Sequence, residues 1–490
     1  MQTSDRPMVL GESQGQSPST PDDTSTEWAD DVSLSSHEYK VAKKRWDIVD
    51  ITLGDTLSVR DCRETVLPKL PHEKKGYENR LKQIEFTPWF RRLVSGLVGV
   101  VLRKPPIITG LQSQIQRHTE DITLTGSNLQ DFLRKLLLSY CHYGCVGILV
   151  DSPAVRAMFL SDEIALNIRP YWCFYTAHSI IGFRTRRIKN VLKLTQVRLS
   201  ECVDREVGLF GVVKIQQIRV LSLSTISLDD GTFRDAVQWQ VYQKDSDGQW
   251  AAIANGVLDL PEIPFYMAPD FSYGYPPFLQ IAFMNLSETR KKAELDHLLS
   301  LCANQKAVFS GFNFEAEEDD DTVTLGPEDG YISEDPNAKV QYVGASVAPA
   351  TAITTRIEGL QREMMTLAIA SMYVQKNVSE TVESKKLDRV QSDSMMALIA
   401  DEIEKLLNQA FLIHAFMMGI SDPGKLEVNK DFSNEILTIE AAKFYAELVA
   451  TGRITIETFF ELLIRGELLP TEFDADKEIK RLLALASGNK

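Results

Sequence analysis

From Phe278 to Phe309 the chain runs 32 residues without a proline or a glycine, the two residues that most readily stop a helix. A single long helix is therefore predicted there. Its ends are apolar, with Ile281 and Met284 at one and Leu295, Leu298 and Leu299 at the other. Its middle, SETRKKAE (287–294), is polar on every side. A helix polar all round offers no stripe to a core. The reading is that this waist has no partner within its own subunit, so it bridges solvent or packs against another copy.

The rest of the 490 residues is organised around that rod. Residues 1–39 are rich in Ser, Thr, Asp, Gln and Pro without an apolar period, and read as a disordered acidic arm. One or two short helices are expected over 39–66, then a helix over 77–103 interrupted near Pro88. Ser127 and Gln130 suggest a capping box, followed by the apolar face Leu129, Phe132, Leu133, Leu136, Leu137 and Tyr140. Gly144 should end that helix, and 146–150 should form a strand. Residues 168–265 carry β texture, with turns at DDG (229–231) and DSDG (245–248), and read as one mostly antiparallel sheet. Five prolines between 261 and 277 mark a domain boundary. Beyond the long helix come an acidic loop region, a helix with Ile353, Ile357, Leu360, Met364 and Leu367 in register, and an interruption at 373–385. A third long helix then spans 386–418 through Leu398, Leu406, Leu407 and Phe411, and short helices finish the chain. The fold class is α+β.

Charge is uneven along the chain. The net value is −15, which suits broad phosphate clamping poorly. Residues 1–39 hold eight acids and one base, and 301–350 hold ten and two; 72–104 carries eight bases to three acids, and 183–219 carries nine to three. These blocks are either ordinary solvated faces or opposite-sign patches through which copies attract one another. No apolar run approaches the roughly 20 residues of a membrane span. The first residues, MQTSDRPMVLGESQG, lack a basic stretch followed by an apolar one, so secretion is not expected. Six scattered cysteines fit a reducing cytoplasm.

Catalytic motifs are weak. GESQG (11–15) matches a nucleophile elbow in letters but lacks the flanking strand and helix. GISDPGKL (419–426) nearly matches a phosphate-binding loop, yet Leu426 stands where a hydroxyl should bind Mg²⁺, and a helix precedes it where a strand should. A helix end with a following turn explains Gly419 and Pro423 better. Cys141, His142 and Cys145 do not share a helix face and read as buried thiols at a helix end. The run Asp319–Asp321 lacks the ligand alternation of a calcium loop; a solvated loop is the default, a weak divalent-ion site the alternative. The seven histidines show no paired spacing. No cofactor, resident metal or catalytic set is expected, and the residues alone read as a non-catalytic scaffold.

Three blocks, in their order, resemble the portal proteins of tailed bacteriophages, in particular a family of siphophages, podophages and cyanophages. The first is VLPKLPHEKKGYENRLKQIEF (66–86) with LVGVVLRKPP (97–106), where Leu67-Pro68, Glu73, Tyr77, Arg80, Leu97-Val98-Gly99 and Arg103-Lys104-Pro105 carry the likeness. The second is YCHYGCVGILVDSP (140–153). The third joins TLGPEDGY (324–331), VQYVGASVAPATA (340–352) and EGLQREMMTLA (358–368), ahead of Ser379-Glu380-Thr381. TLAIA has less Gly and Ala than the family carries near 366–370. The resemblance implies a wing over 40–280, stem helices over 281–304 and 348–372, a clip over 305–347, a channel loop over 373–386, and a returning wing helix with crown over 387–490.

It further implies a ring of twelve copies at a capsid vertex of the virion, assembled in the host cytoplasm. Its partners would be the major capsid protein, the terminase motor, head-completion and tail proteins, and double-stranded DNA passing through the channel, with no membrane. Arg290, Lys291, Lys292, Gln375, Lys376 and Asn377 are the candidates to face DNA. Glu315, Glu317, Glu318, Asp319, Asp320 and Asp321 are the candidate acidic surface of the clip. Two other readings stay open: a nucleotide-binding hydrolase with a non-standard site, and an oligomeric adaptor without a pore.

Overall fold

The computed structural model describes residues 31–69, 76–153, 166–227, 233–312, 335–372 and 394–430, with 432, 455–465 and scattered positions between 443 and 481. The channel-loop residues Gln375, Lys376 and Asn377, the acidic candidates 315–321 and the DDG turn lie outside these residues, as do 1–30 of the arm.

The arm expected over 1–39 is placed from Asp31 onward, and helix α1 (His37–Leu53) already starts within it. Ser36 caps that helix by accepting the Tyr39 N–H. Short helices α2 (Thr56–Asp61) and α3 (Arg63–Val66) precede the Leu67-Pro68 break. The interrupted helix resolves into α4 (Gly76–Gln83) and α5 (Trp89–Val101), on either side of Pro88. Strand β1 (Ile107–Thr109) and helix α6 (Ser113–His118) lead to α7 (Leu129–Tyr143). The α7 cap corrects the capping box by one residue: Asn128, with extended backbone, accepts the Asp131 N–H at 2.8 Å. Gly144 ends α7 at φ 70°, and a Cβ there would sit 2.4 Å from the Tyr275 carbonyl oxygen, so only glycine fits.

The β region holds two sheets, not one. Strand β2 (Val146–Asp151) sits centrally between β3 (Tyr171–Thr176) and β9 (Phe265–Ala268), antiparallel to both. Its burial on both faces explains its unbroken apolar run. The second sheet is a meander of β4 (Ile180–Ile188), β5 (Val191–Val207), β6 (Gly211–Ser227), β7 (Phe233–Lys244) and β8 (Trp250–Leu258). Arg219 on β6 stitches the sheets, lying 2.6 Å from Asp151 of β2 and 2.9 Å from Glu201 of β5. Tyr171 and Tyr175 donate to the same two carboxylates.

The long helix is α8 (Leu279–Ala303), seven residues shorter than the 32-residue run without proline or glycine. After Asn304 the β-branched and aromatic pattern of KAVFS switches to strand β10 (Lys306–Ser310), which pairs with β11 (Lys339–Val343). Helix α9 (Ala348–Ala370) buries Ile357, Leu360 and Met364, but Ala368 takes the place expected of Leu367, which is 42% exposed. Helix α10 (Met395–Met417), capped by Ser394, buries Leu406, Leu407 and Phe411, while Leu398 faces out. Gly419 then turns the chain at φ 70° into β12 (Lys425–Glu427), paired with β1. Helix α11 (Ile456–Arg465) follows. The main core gathers α1, α5, α7 and α10 against the three-stranded sheet. Among the described residues no helix is long and apolar enough to cross a membrane.

Candidate functional site: the α8–α9 helix pair

Helices α8 and α9 pack side by side and antiparallel, joined at one end by the β10–β11 hairpin. Gly344 meets Gln305 and the Cys302 carbonyl near that end, while Gln361 meets Glu288 farther along. The waist of α8 corrects the sequence expectation. Asn285, Glu288 and Thr289 are 0–1% exposed, and their partners belong to the same chain.

Each polar group of the waist has a physical task. Pro88, at the start of α5, has no side-chain oxygen with which to cap it. Asn285 takes over: its Oδ1 accepts the Phe90 N–H at 3.0 Å and its Nδ2 donates to the Thr87 carbonyl at 2.9 Å. One side chain thus serves as a cap supplied from another helix. Arg290 does the reverse at the C-terminal end of α3, donating through Nε to the Val66 carbonyl at 2.8 Å and through a terminal nitrogen to Thr65 at 2.7 Å. A cation at exposed carbonyls also suits the negative end of a helix dipole.

Glu288 is buried inside this arrangement. Its Oε1 lies 2.7 Å from Lys292 Nζ and accepts from Gln361 Nε2 at 3.0 Å; its Oε2 has no hydrogen-bond partner among the described residues. Lys292 also donates to Thr87 Oγ1 at 2.9 Å. Of the three α8 cations expected to face DNA, Arg290 and Lys292 are thus engaged inside the subunit. Lys291 is the outward one, 2.6 Å from Glu294 with its side chain 41% exposed.

The distal end of the pair has the opposite character. Leu299 is 44% and Leu301 49% exposed, and every residue of β11 is exposed, Tyr342 at 70%. A two-stranded sheet alone is marginal in water, and the exposed apolar side chains gathered at this end make it a candidate interaction site. The polar waist was legible as unusual, but the signal for Asn285 was missed: it is an amide embedded in an otherwise apolar turn, AFMNL, where a buried polar group implies a specific partner.

Other candidates divide differently. Cys141 and Cys145 are fully buried, and burial pushes both thiols up to about 12. Lys425, of the near phosphate loop, pairs with Glu427 at 2.8 Å. The neighbouring cleft of about 500 Å³ is lined by Asp270, Asp401, Glu402 and Glu404 together with Lys405 and Lys425, and Asp401 is ion-paired with Lys405 at 2.7 Å. A histidine pair, His414 buried and His118 half-buried, sits where α6, α10 and β3 meet. Trp172 Nε1 donates to His414 Nδ1 at 3.2 Å, so His414 carries its proton on Nε2 and donates to His118 Nδ1 at 3.0 Å. Desolvation lowers His414 to about 3 and His118 to about 4, so both rings are neutral at pH 7.

A family described as a domain of unknown function, DUF4055, matches residues 277–417, which takes in α8, α9 and α10. No curated protein matches the chain. Two similar solved structures are chains of gene transfer agent particles. One, from "Virion of native gene transfer agent (GTA) particle", has a TM-score of 0.34 at 11% identity, covering 82% of this chain and 98% of that one. The other, from "Neck of empty GTA particle computed with C6 symmetry", has a TM-score of 0.40 at 11% identity, covering 81% and 95%. Scores below 0.5 do not establish a common fold.

Proposed function

We propose that this chain is a portal subunit: it forms a closed ring at a capsid vertex, and the ring conducts double-stranded DNA into and out of the particle. The observation that carries this reading is the α8–α9 pair, whose distal apolar surface is uncovered in a single subunit. Repeated about a rotational axis, the same surface meets its counterpart on each neighbour, and the leucines of one copy cover those of the next. The ordered motif blocks between 66 and 381 support the same assignment.

The ring is a dodecamer in this proposal, with the major capsid protein outside, the terminase motor docking during packaging, and head-completion and tail proteins docking afterwards. It is a virion component without catalysis or cofactor. The acidity of the chain fits a conduit: duplex DNA carries about one charge per 1.7 Å, and carboxylates within a Debye length of about 8 Å repel it weakly. Weak repulsion keeps DNA from sticking. Lys291, and Lys376 of the channel loop, are the cations proposed to touch it. Negative-stain images of the purified assembly test this reading. Top views should show a ring with a central hole; an assembly without a hole would make the chain an adaptor.

A further inference from the structure

Strands β4 and β5 end in a hairpin that is unusual for so acidic a chain. Between 184 and 193 stand Arg184, Arg186, Arg187, Lys189 and Lys193, with no acid among them. The four of these up to Lys189 are exposed, and none of the five forms an ion pair with a described residue. Lys189 and Asn190 both take positive φ, 50° and 66°, the geometry of a tight two-residue turn, so the tip is held in place. β4 is also an edge strand of its sheet.

The last residues of the acidic arm, from Asp31 to Ser36, cross the same sheet. The Ser36 N–H bonds the Ile181 carbonyl of β4 at 3.1 Å. Arg198 of β5 donates to the Val32 carbonyl at 3.2 Å, and Val32 packs on Ile181, Ile218 and Val220. Asp31 feels Lys244 at the end of β7; its carboxyl is held low by hydrogen bonds from Ser33 first and by Lys244 and Arg198 after that. Followed backward from α1, the chain therefore leaves β4 and travels toward β7 and β8. Residues 1–30 then carry Asp5, Glu12, Asp22, Asp23, Glu27 and Asp30 against Arg6 alone. Asp31, the first described residue, thus lies toward the β7 side of the sheet, away from the basic β4 edge.

We infer that residues 22–30 of one subunit dock on the β4–β5 hairpin of the adjacent subunit, acid against base, as a strap between neighbours. This rests on the ring proposed above and requires a head-to-tail arrangement in which the β7 side of one copy faces the β4 edge of the next. The segment is long enough: eight residue steps at about 3.3 Å span roughly 26 Å, comparable to the roughly 20 Å from Gly182 to the hairpin tip. Charges at the surface make the contact sensitive to salt.

Zero-length carbodiimide cross-linking of the full-length assembly tests it, with unlabelled and ¹⁵N-labelled chains mixed before assembly. The expected result is mixed-isotope peptides joining Lys189 or Lys193 to Asp22, Asp23, Glu27 or Asp30. Their yield should fall about fivefold or more in 1 M salt, where the Debye length is about 3 Å, and similarly in R184Q/R186Q/R187Q. Cross-links of one isotope only would overturn the assignment in favour of the chain's own arm. No cross-links to 22–30 in an assembly of ring mass would overturn the strap and leave the ring standing. A monomeric mass by light scattering on the same sample would overturn both.

Discussion

The two ends of α8 are built on opposite rules. Near Asn285 and Glu288 the helix is polar and buried, and its side chains cap α5, cap α3 and meet α9. Near Leu299 and Leu301 it is apolar and exposed. Composition alone assigns these the other way, since polar residues are usually outside and leucines inside. The difference teaches that burial follows available partners. A waist beside two helix termini finds unsatisfied N–H and carbonyl groups to serve, whereas the leucines beyond it are left about half exposed by the described residues of their own subunit.

The contrast can be broken at the waist first. Lys292→Ala leaves Glu288 buried without its cation and should cost about 3 kcal/mol, read by urea denaturation. Glu288→Leu combined with Lys292→Leu should recover most of that loss; a double variant as unstable as the single would show that packing rather than charge governs the waist. Asn285→Ala strands the Phe90 N–H and the Thr87 carbonyl and should cost about 2 kcal/mol, with α5 gaining the faster amide exchange.

Acid tests the body apart from the rod. His414 has its folded pKa below the ordinary 6.5, at about 3. Its contribution is therefore whole above pH 6.5 and declines as the pH falls toward 3. Between pH 8 and pH 5 the native protein should lose about 2 kcal/mol more than His414→Gln, measured by denaturation at each pH. Equal losses would remove His414 from the acid response. The smallest effect belongs to Lys291→Ala, whose exposed pair with Glu294 should contribute under about 0.5 kcal/mol.

Much of the fold was legible where the signal is local. The α7 stripe from Leu129 to Tyr140, the stop at Gly144 and the buried run of β2 follow from periodicity and from glycine's freedom at positive φ. The cap shifted from Ser127 to Asn128 because both residues are strong caps and only the backbone decides between them. The splitting of the β region into two sheets was not legible, since Asp151, Glu201 and Arg219 meet only after three separate strands are in place. The waist misled for the same reason: Asn285 and Arg290 serve residues about 200 positions away, and hydropathy windows contain no such distance. Of the candidate DNA-facing residues, the exposure of Lys291 and the engagement of Arg290 and Lys292 depend on those same remote carbonyls.

The mass of the purified chain in solution, measured by light scattering for the native sequence and for Leu299→Glu with Leu301→Glu, tests the central claim most directly. The native chain should form an assembly at a multiple of 55.1 kDa. The variant, with an unfolding free energy within about ±0.5 kcal/mol of the native one as for a surface change, should fall to a single subunit. A native chain that stays at one subunit across salt and concentration, or a variant that keeps the native mass, would contradict the assignment of this surface as the seam between copies.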